Sequence, residues 1–193
     1  MLVIQYHYSR DIVHRGKRSN LIWNNKAKII PQCSLKHISM PYCGISCKIP
    51  EWVSSHIDLF YLDLSGNRLE GGFPDWLAER NIQIISLSDN ILSGSIPSRL
   101  FEFVDLLYLD LSQNNFSGEL PKNLGNAKSI KVLSLSENKF TGQIPVSISR
   151  MDTLKYLDLS INLRSGLSFP VCHITISMVR SQRSFLKEYD LFI

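Results

Sequence analysis

The sequence predicts a right-handed repeat solenoid of the α/β class, with a parallel β-sheet on its concave face and turns or short 3₁₀ segments on its convex face. Three observations predict it. One pattern recurs every 23 or 24 residues, leucines alternate with polar residues at the start of most copies, and glycine and proline return at fixed offsets. The 193 residues are 44% apolar and 20% charged, which are the values of an ordinary folded domain.

Six copies of the pattern fill residues 35–172. They begin at residues 35, 59, 82, 106, 130 and 154, and a typical copy reads LLYLDLSQNNFSGELP. This division leaves a divergent basic head at 1–34 and a non-repeat tail at 173–193. Within the head, residues 20–34 hold a candidate degenerate repeat, because Asn24 and Pro31 keep the separation found in the other copies.

Each position at the start of a copy has a physical task. The letters YLDL alternate outward side chains with leucines, which predicts a short strand whose leucines enter the core. Successive copies stack these strands about 4.8 Å apart into one parallel sheet. An asparagine follows each strand, and its amide can pair buried backbone groups. These ladder asparagines are Asn67, Asn90, Asn114, Asn138 and Asn162, and Cys43 takes their place in the first copy.

The second half of each copy returns the chain to the next strand. A leucine or phenylalanine is predicted to be buried, a glycine permits a turn, and an apolar residue followed by proline stiffens the convex side. Cys47 replaces the turn glycine in the first copy. This L-x-G-x-I-P extension of the pattern L-x-x-L-x-L-x-x-N-x-L resembles the plant-type leucine-rich repeat of receptor-like proteins and receptor-like kinases, over residues 35–166.

The resemblance implies a secreted or membrane-anchored ectodomain at the cell surface that binds a ligand and catalyses nothing. It implies a peptide or protein ligand, and a co-receptor kinase as a second partner, in signalling or defence. Two alternatives remain open. One is a secreted inhibitor of wall-degrading enzymes, like the polygalacturonase-inhibiting proteins, and the other is a truncated remnant without function.

The concave sheet is the predicted partner-binding face, because the curvature of a solenoid offers an extended surface. Tyrosines flanked by carboxylates are suited to anchor a basic peptide, and the position before each asparagine varies most from copy to copy. The candidate contact residues are Tyr61, Asp63, Asp89, Tyr108, Asp110, Gln113, Glu137, Tyr156 and Asp158. The alternative is that YLDLS is scaffold and that its repeated aspartates form a solvated face.

Motifs for catalysis or nucleotide binding are missing from the sequence. It contains no GxxxxGK[ST] and no GxGxxG after a strand, and the serines that recur after each strand have no histidine beside them to act as a base. No catalytic residue, metal site or cofactor is predicted. The net charge is +4, because the head carries +5 and the rest of the chain −1. The head lacks the aromatic interleaving of a nucleic-acid-binding module, so no nucleic-acid partner is predicted.

The two ends depart from the family pattern. No apolar stretch predicts a signal peptide, no run of about 18 apolar residues predicts a membrane helix, and no polar cap is recognisable. We therefore expect a fragment of a larger receptor, from a truncated or mispredicted gene.

Cysteines and one sequon complete the candidate sites. A disulfide from Cys33 or Cys43 to Cys47 is sterically open, whereas Cys172 lies five coils away and has no predicted intrachain partner. Asn115, in Asn-Phe-Ser, heads the single N-x-S/T sequon and is a glycosylation candidate if the protein is secreted.

Overall fold

The computed structural model describes residues 11–13 and 34–162. In chain order the strands are β1 (Asp11–Val13), β2 (His37–Ser39), β3 (Ser46–Cys47), β4 (Tyr61–Asp63), β5 (Arg68–Gly71), β6 (Ile84–Ser86), β7 (Ile91–Gly94), β8 (Tyr108–Asp110), β9 (Asn115–Glu119), β10 (Val132–Ser134), β11 (Lys139–Thr141) and β12 (Tyr156–Asp158). The helical segments are α1 (Asp75–Ala78) and the 3₁₀ turns Glu51–Ser55, Ser98–Glu102, Leu124–Asn126 and Val146–Arg150. None of the helices in the described ranges is long and apolar enough to cross a membrane.

Seven parallel strands form the concave sheet, in the order β1-β2-β4-β6-β8-β10-β12. From β2 onward, each strand begins two residues after the start of a predicted copy, and equivalent residues pair directly, as Leu109 does with Leu133. The predicted solenoid with a parallel sheet is therefore confirmed. Sequence analysis did not predict β1, which lies in the basic head and pairs in parallel with β2. The candidate repeat at 20–34, the tail at 173–193, Cys33 and Cys172 lie outside the described residues.

A second sheet lies beside the first, in a place where sequence analysis predicted only a turn. Its five parallel strands run in the order β11-β9-β7-β5-β3, and we call it the lateral sheet. Each of its strands follows the ladder position of its copy. Except in β3, one core residue per strand is fully buried, such as Leu92 in β7 and Phe116 in β9. The rings of Phe116 and Phe140 stack with centroids 6.4 Å apart, which joins two coils within the core.

The ladder asparagines connect each coil to the one before it. The Nδ2 amide of Asn114 donates to the carbonyl oxygens of Leu87 and Leu111, at 2.9 and 3.2 Å. Its Oδ1 accepts the N–H of Leu92 at 3.0 Å. Because Leu87 and Leu92 belong to the preceding coil, each ladder amide pairs backbone groups that the turn would otherwise bury unpaired. The same pattern recurs at Asn67, Asn90, Asn138 and Asn162.

Candidate ligand-binding surface

The first residue of each concave strand from β2 onward points away from the core, and four of these six residues are buried. Tyr61, Ile84, Tyr108 and Val132 pack on one another across neighbouring strands as an apolar cluster separate from the leucine core. Tyr61 and Tyr108 are only 6% and 3% exposed. The predicted alternation is correct, since these side chains point away from the core, but their expected exposure is wrong. In-register pairing places each ring against its neighbours in the adjacent strands, which withdraws the column from solvent.

The concave aspartates are hydrogen-bonded at the ends of their strands. Asp63 Oδ1 accepts both the N–H and the hydroxyl of Ser65, at 3.0 and 2.7 Å. Asp110 and Asp158 each bind the serine two residues further on with the same distances. Asp63 and Asp110 are 7% and 5% exposed, so the expectation of a solvated face is wrong for them. These carboxylates fix the turn after the strand, because they satisfy a serine N–H there.

Two aspartates of this column have opposite pKa shifts. Burial raises the pKa of Asp63 above its ordinary 3.8, against the hydrogen bonds from Ser65 and Ser86 and in line with the charge of Asp110. Partial burial also acts to raise the pKa of Asp158, but its hydrogen bonds, chiefly from Ser160, outweigh this and lower it. Burial and the neighbouring carboxylates raise the pKa of Tyr61 and Tyr108 well above 10, so both phenols stay protonated at neutral pH.

A row of six residues follows the concave strands, one in each coil, immediately before the ladder position. All six have a left-handed backbone, with φ between +53° and +65°. We call them the edge row: Tyr42, Gly66, Asp89, Gln113, Glu137 and Ile161. From Tyr42 to Glu137, each N–H donates to a serine carbonyl oxygen of the next coil, as Gln113 does to Ser136 at 3.0 Å. The backbone of the row is thus fixed by hydrogen bonds, while its side chains leave the sheet.

The side chains of the edge row are exposed to solvent at every position that has one. Tyr42 and Ile161, at the two ends, are 62% and 74% exposed, and Asp89, Gln113 and Glu137 between them are exposed as well. At Gly66 a Cβ atom would lie 2.2 Å from the ring of Tyr42, so glycine is required for the ring to lie over the neighbouring coil. The row therefore presents an aromatic end, an acidic centre and an aliphatic end.

Charge at the centre of the edge row is not neutralised by the neighbouring coils. The Nε2 of Gln113 donates to the two carboxylate oxygens of Glu137, at 3.2 and 3.3 Å. Within residues 34–162, neither Asp89 nor Glu137 forms a salt bridge. The row is therefore suited to a partner that carries positive charge.

The structure sorts the predicted contact residues by accessibility. Tyr61, Asp63, Tyr108 and Asp110 are buried, whereas Tyr156 and Asp158, in the last described strand, are partly exposed; Asp89, Gln113 and Glu137 are exposed. Sequence analysis selected those three for their variation but did not detect the left-handed backbone that they share with Tyr42 and Ile161. One position of the repeat holds unrelated residue types, including glycine, and this is the sequence signal that could have indicated the left-handed backbone.

In the part of the chain that the structure describes, neither a metal site nor a disulfide between Cys43 and Cys47 is supported. No group of three or more histidine, cysteine or acidic residues is placed there to hold a metal ion. The thiols of Cys43 and Cys47 donate to Pro41 O and Ser46 Oγ, so no disulfide joins these two cysteines. Cys47 has φ +78° in the column that glycine occupies in the other coils.

Comparison with known proteins identifies the class. The Leucine Rich Repeat family model matches residues 58–79, 81–103, 105–127 and 129–151. Receptor-like protein 46 of Arabidopsis thaliana is 50% identical over 72 residues, which are 37% of this chain and 9% of that protein. The matched stretches cover 9%, 8% and 6% of three curated relatives, so the chain spans less than a tenth of their length.

Solved structures point to the same class. The Arabidopsis receptor kinase HAESA, in complex with the peptide hormone IDA and the co-receptor SERK1, matches with a TM-score of 0.62 and 34% identity, over 70% of this chain and 23% of HAESA. A chain of the Arabidopsis BIR3–SERK2 complex matches with a TM-score of 0.58 and 32% identity, over 72% of this chain and 70% of that one.

The chain belongs to the leucine-rich repeat family, and its repeats are similar to those of plant receptor ectodomains. The described repeats of this chain have the architecture of a ligand-binding leucine-rich repeat module.

Proposed function

We propose that this chain is part of the extracellular region of a plant cell-surface receptor-like protein, and that it recognises a peptide or protein ligand in signalling or defence. The matched relatives include Receptor-like protein 46 of Arabidopsis thaliana, and HAESA was solved with a peptide hormone and a co-receptor. These support a peptide or protein as the first partner of this chain, and a co-receptor kinase as the second.

The edge row is the observation that carries the proposal. Its side chains are exposed, its backbone is fixed from coil to coil, and its residues differ in each coil, which is what recognition of one ligand among many requires. The concave tyrosines Tyr61 and Tyr108 are buried in the structure and are assigned to the scaffold. We therefore assign ligand contact to Asp89, Gln113 and Glu137, extended by the partly exposed Tyr156 and Asp158 in the neighbouring column.

Spacing along the edge row suggests the chemistry of the ligand. Asp89 and Glu137 lie two coils apart, about 10 Å at the spacing of parallel strands. A peptide in the polyproline II conformation repeats every three residues, with a rise of about 9 Å. Two arginines at positions i and i+3 of such a peptide would therefore face the two carboxylates. The ligand that fits best is an extended segment with paired basic residues.

A short fluorescent proline-rich peptide with arginine at i and i+3 tests this assignment by fluorescence anisotropy with the full chain. Two matched peptides serve as controls, one with both arginines replaced by glutamine and one with the arginines adjacent. We expect the first peptide to bind most tightly, and its affinity to fall as salt is added. Equal binding of all three peptides would contradict the ligand chemistry.

Charge-neutral variants locate the contact. Asp89→Asn and Glu137→Gln should each weaken binding roughly 1.5-fold to 5-fold, the effect of losing one exposed ion pair. Glu102→Gln removes another exposed carboxylate, from the convex turn Ser98–Glu102, and should leave the affinity unchanged. An equal loss in all three variants would show that only the net charge of the protein matters.

A further inference from the structure

Two adjacent asparagines, Asn114 and Asn115, have different environments in the structure. Asn114 is a ladder residue, buried, with both ends of its amide engaged by backbone groups. Asn115 is the first residue of β9, is half-buried, and its side chain has no hydrogen bond to the described parts of the chain. The amide that belongs to the sequon is therefore the one that the fold leaves unused.

The alternation of β9 turns the sequon outward. Phe116 is fully buried and stacks on Phe140, so Asn115 and Ser117, one residue to either side, lie on the outer face of the lateral sheet. Asn115 and Ser117 are half-buried. The acceptor amide and the hydroxyl of the sequon thus share one accessible surface.

The surface around Asn115 has room for a bulky group. Ser93 of β7 pairs with Asn115, and Gly94 pairs with Phe116. Both β7 residues are exposed, and a Cβ atom added at Gly94 would meet nothing within 4 Å. Gly118, three residues further along β9, is also exposed, and a Cβ atom added there would lie 3.9 Å from the nearest atom, in Ser95. Small side chains therefore border the sequon on the β7 side, while on the β11 side the exposed Lys139 pairs with Ser117.

We infer that Asn115 is the acceptor of an N-linked glycan that stands on the lateral sheet. The donor is an oligosaccharide linked to a lipid diphosphate. The amide nitrogen of Asn115 forms a bond to the anomeric carbon of the sugar, the bond from that carbon to the diphosphate oxygen breaks, and the lipid diphosphate leaves with the electron pair while the amide loses one proton. The inference rests on the proposed function, because it requires passage through the secretory pathway.

Mass spectrometry of the secreted chain tests the inference. The full chain is expressed in plant cells behind a cleavable secretion signal, and glycans are removed enzymatically so that each glycosylated asparagine becomes aspartate. We expect the wild-type peptide to carry this conversion at Asn115. Asn115→Gln and Ser117→Ala should abolish it, while Ser117→Thr should keep it. Asn81→Gln, which changes an exposed asparagine outside any sequon, should leave the glycan in place.

The readout is the mass of a peptide, taken from chain inside the secretory vesicles as well as from secreted chain, so a variant that folds poorly and is retained is still measured. The inference would be overturned if the chain is found inside secretory vesicles, where added protease cannot reach it, and Asn115 is unmodified. That result would leave the peptide-binding assay, which uses unglycosylated protein, unaffected. Conversely, a glycan at Asn115 together with absent peptide binding would contradict the proposed ligand and leave this inference standing.

Discussion

Tyr108 in the concave column and Tyr42 in the edge row show how one residue type has two tasks on the same solenoid. Tyr108 is 3% exposed and packs among the side chains of neighbouring strands, whereas Tyr42 is 62% exposed and lies over Gly66. The backbone accounts for part of the difference. Strand conformation lines Tyr108 up with its neighbours, and a left-handed residue turns Tyr42 away from the sheet. Position in the repeat, rather than residue type, separates scaffold from accessible surface.

The largest expected effect comes from truncating this pair of tyrosines. Tyr108→Ala should lower the free energy of unfolding by about 3 kcal/mol or more, because it leaves a cavity in a packed cluster. Tyr42→Ala should cost less than about 1 kcal/mol, because most of the ring is already in water. Urea denaturation of the full chain measures both. Similar losses for the two variants would show that the concave column is no better packed than the edge row.

A smaller effect is expected where the first coil departs from the others. Cys47 has φ +78° where later coils have glycine, so Cys47→Gly should stabilise the protein by roughly 0.5 to 1 kcal/mol. Gly94→Ala is the matched control, since its φ is +83° and the added methyl group meets nothing. It should destabilise by a similar amount, from backbone conformation alone. No change in either variant would remove the argument that this column requires glycine.

The smallest effect is a difference in pH dependence between two aspartates of one column. The raised pKa of Asp63 contributes stability below pH 3.8 that is lost as the pH rises through its folded value. The lowered pKa of Asp158 contributes stability above pH 3.8 that is lost as the pH falls through its folded value. Relative to wild type, Asp63→Asn should therefore gain stability as the pH rises from 3.8 to neutrality.

Asp158→Asn should change in the opposite sense, with a deficit at neutral pH that disappears below pH 3.8. The free energy of unfolding of wild type and both variants, measured from well below pH 3.8 to neutrality, provides the comparison. Parallel curves for the two variants would show that the aspartates share one environment.

The periodic strands of the concave sheet could be predicted from the sequence, whereas the elements that depend on contacts with neighbouring coils could not. The positions of β2, β4, β6, β8, β10 and β12 follow from alternating leucines, because core burial dictates that period. The lateral sheet was not predictable in the same way, since most of its strands contribute only one buried residue each and read as turns. β1 was missed because its residues stand alone in a polar, basic stretch.

The candidate surface was predictable only in part. Alternation tells which side of the sheet Tyr61 and Tyr108 occupy, but not what packs against them there, so their burial could not be foreseen. Asp89, Gln113 and Glu137 were found through their variation between copies. Their shared left-handed backbone leaves no residue type in common, and so no motif.

The most direct test of the account compares two double variants in the anisotropy assay with the paired-arginine peptide. Asp89→Asn with Glu137→Gln removes the edge-row charge, and Asp63→Asn with Asp110→Asn removes the same charge from the last residues of the concave strands β4 and β8. The account predicts that the first loses affinity and that the second, confirmed as folded by its urea transition, keeps it. Retained affinity in the first and lost affinity in the second would place the ligand on the concave aspartates and contradict the account.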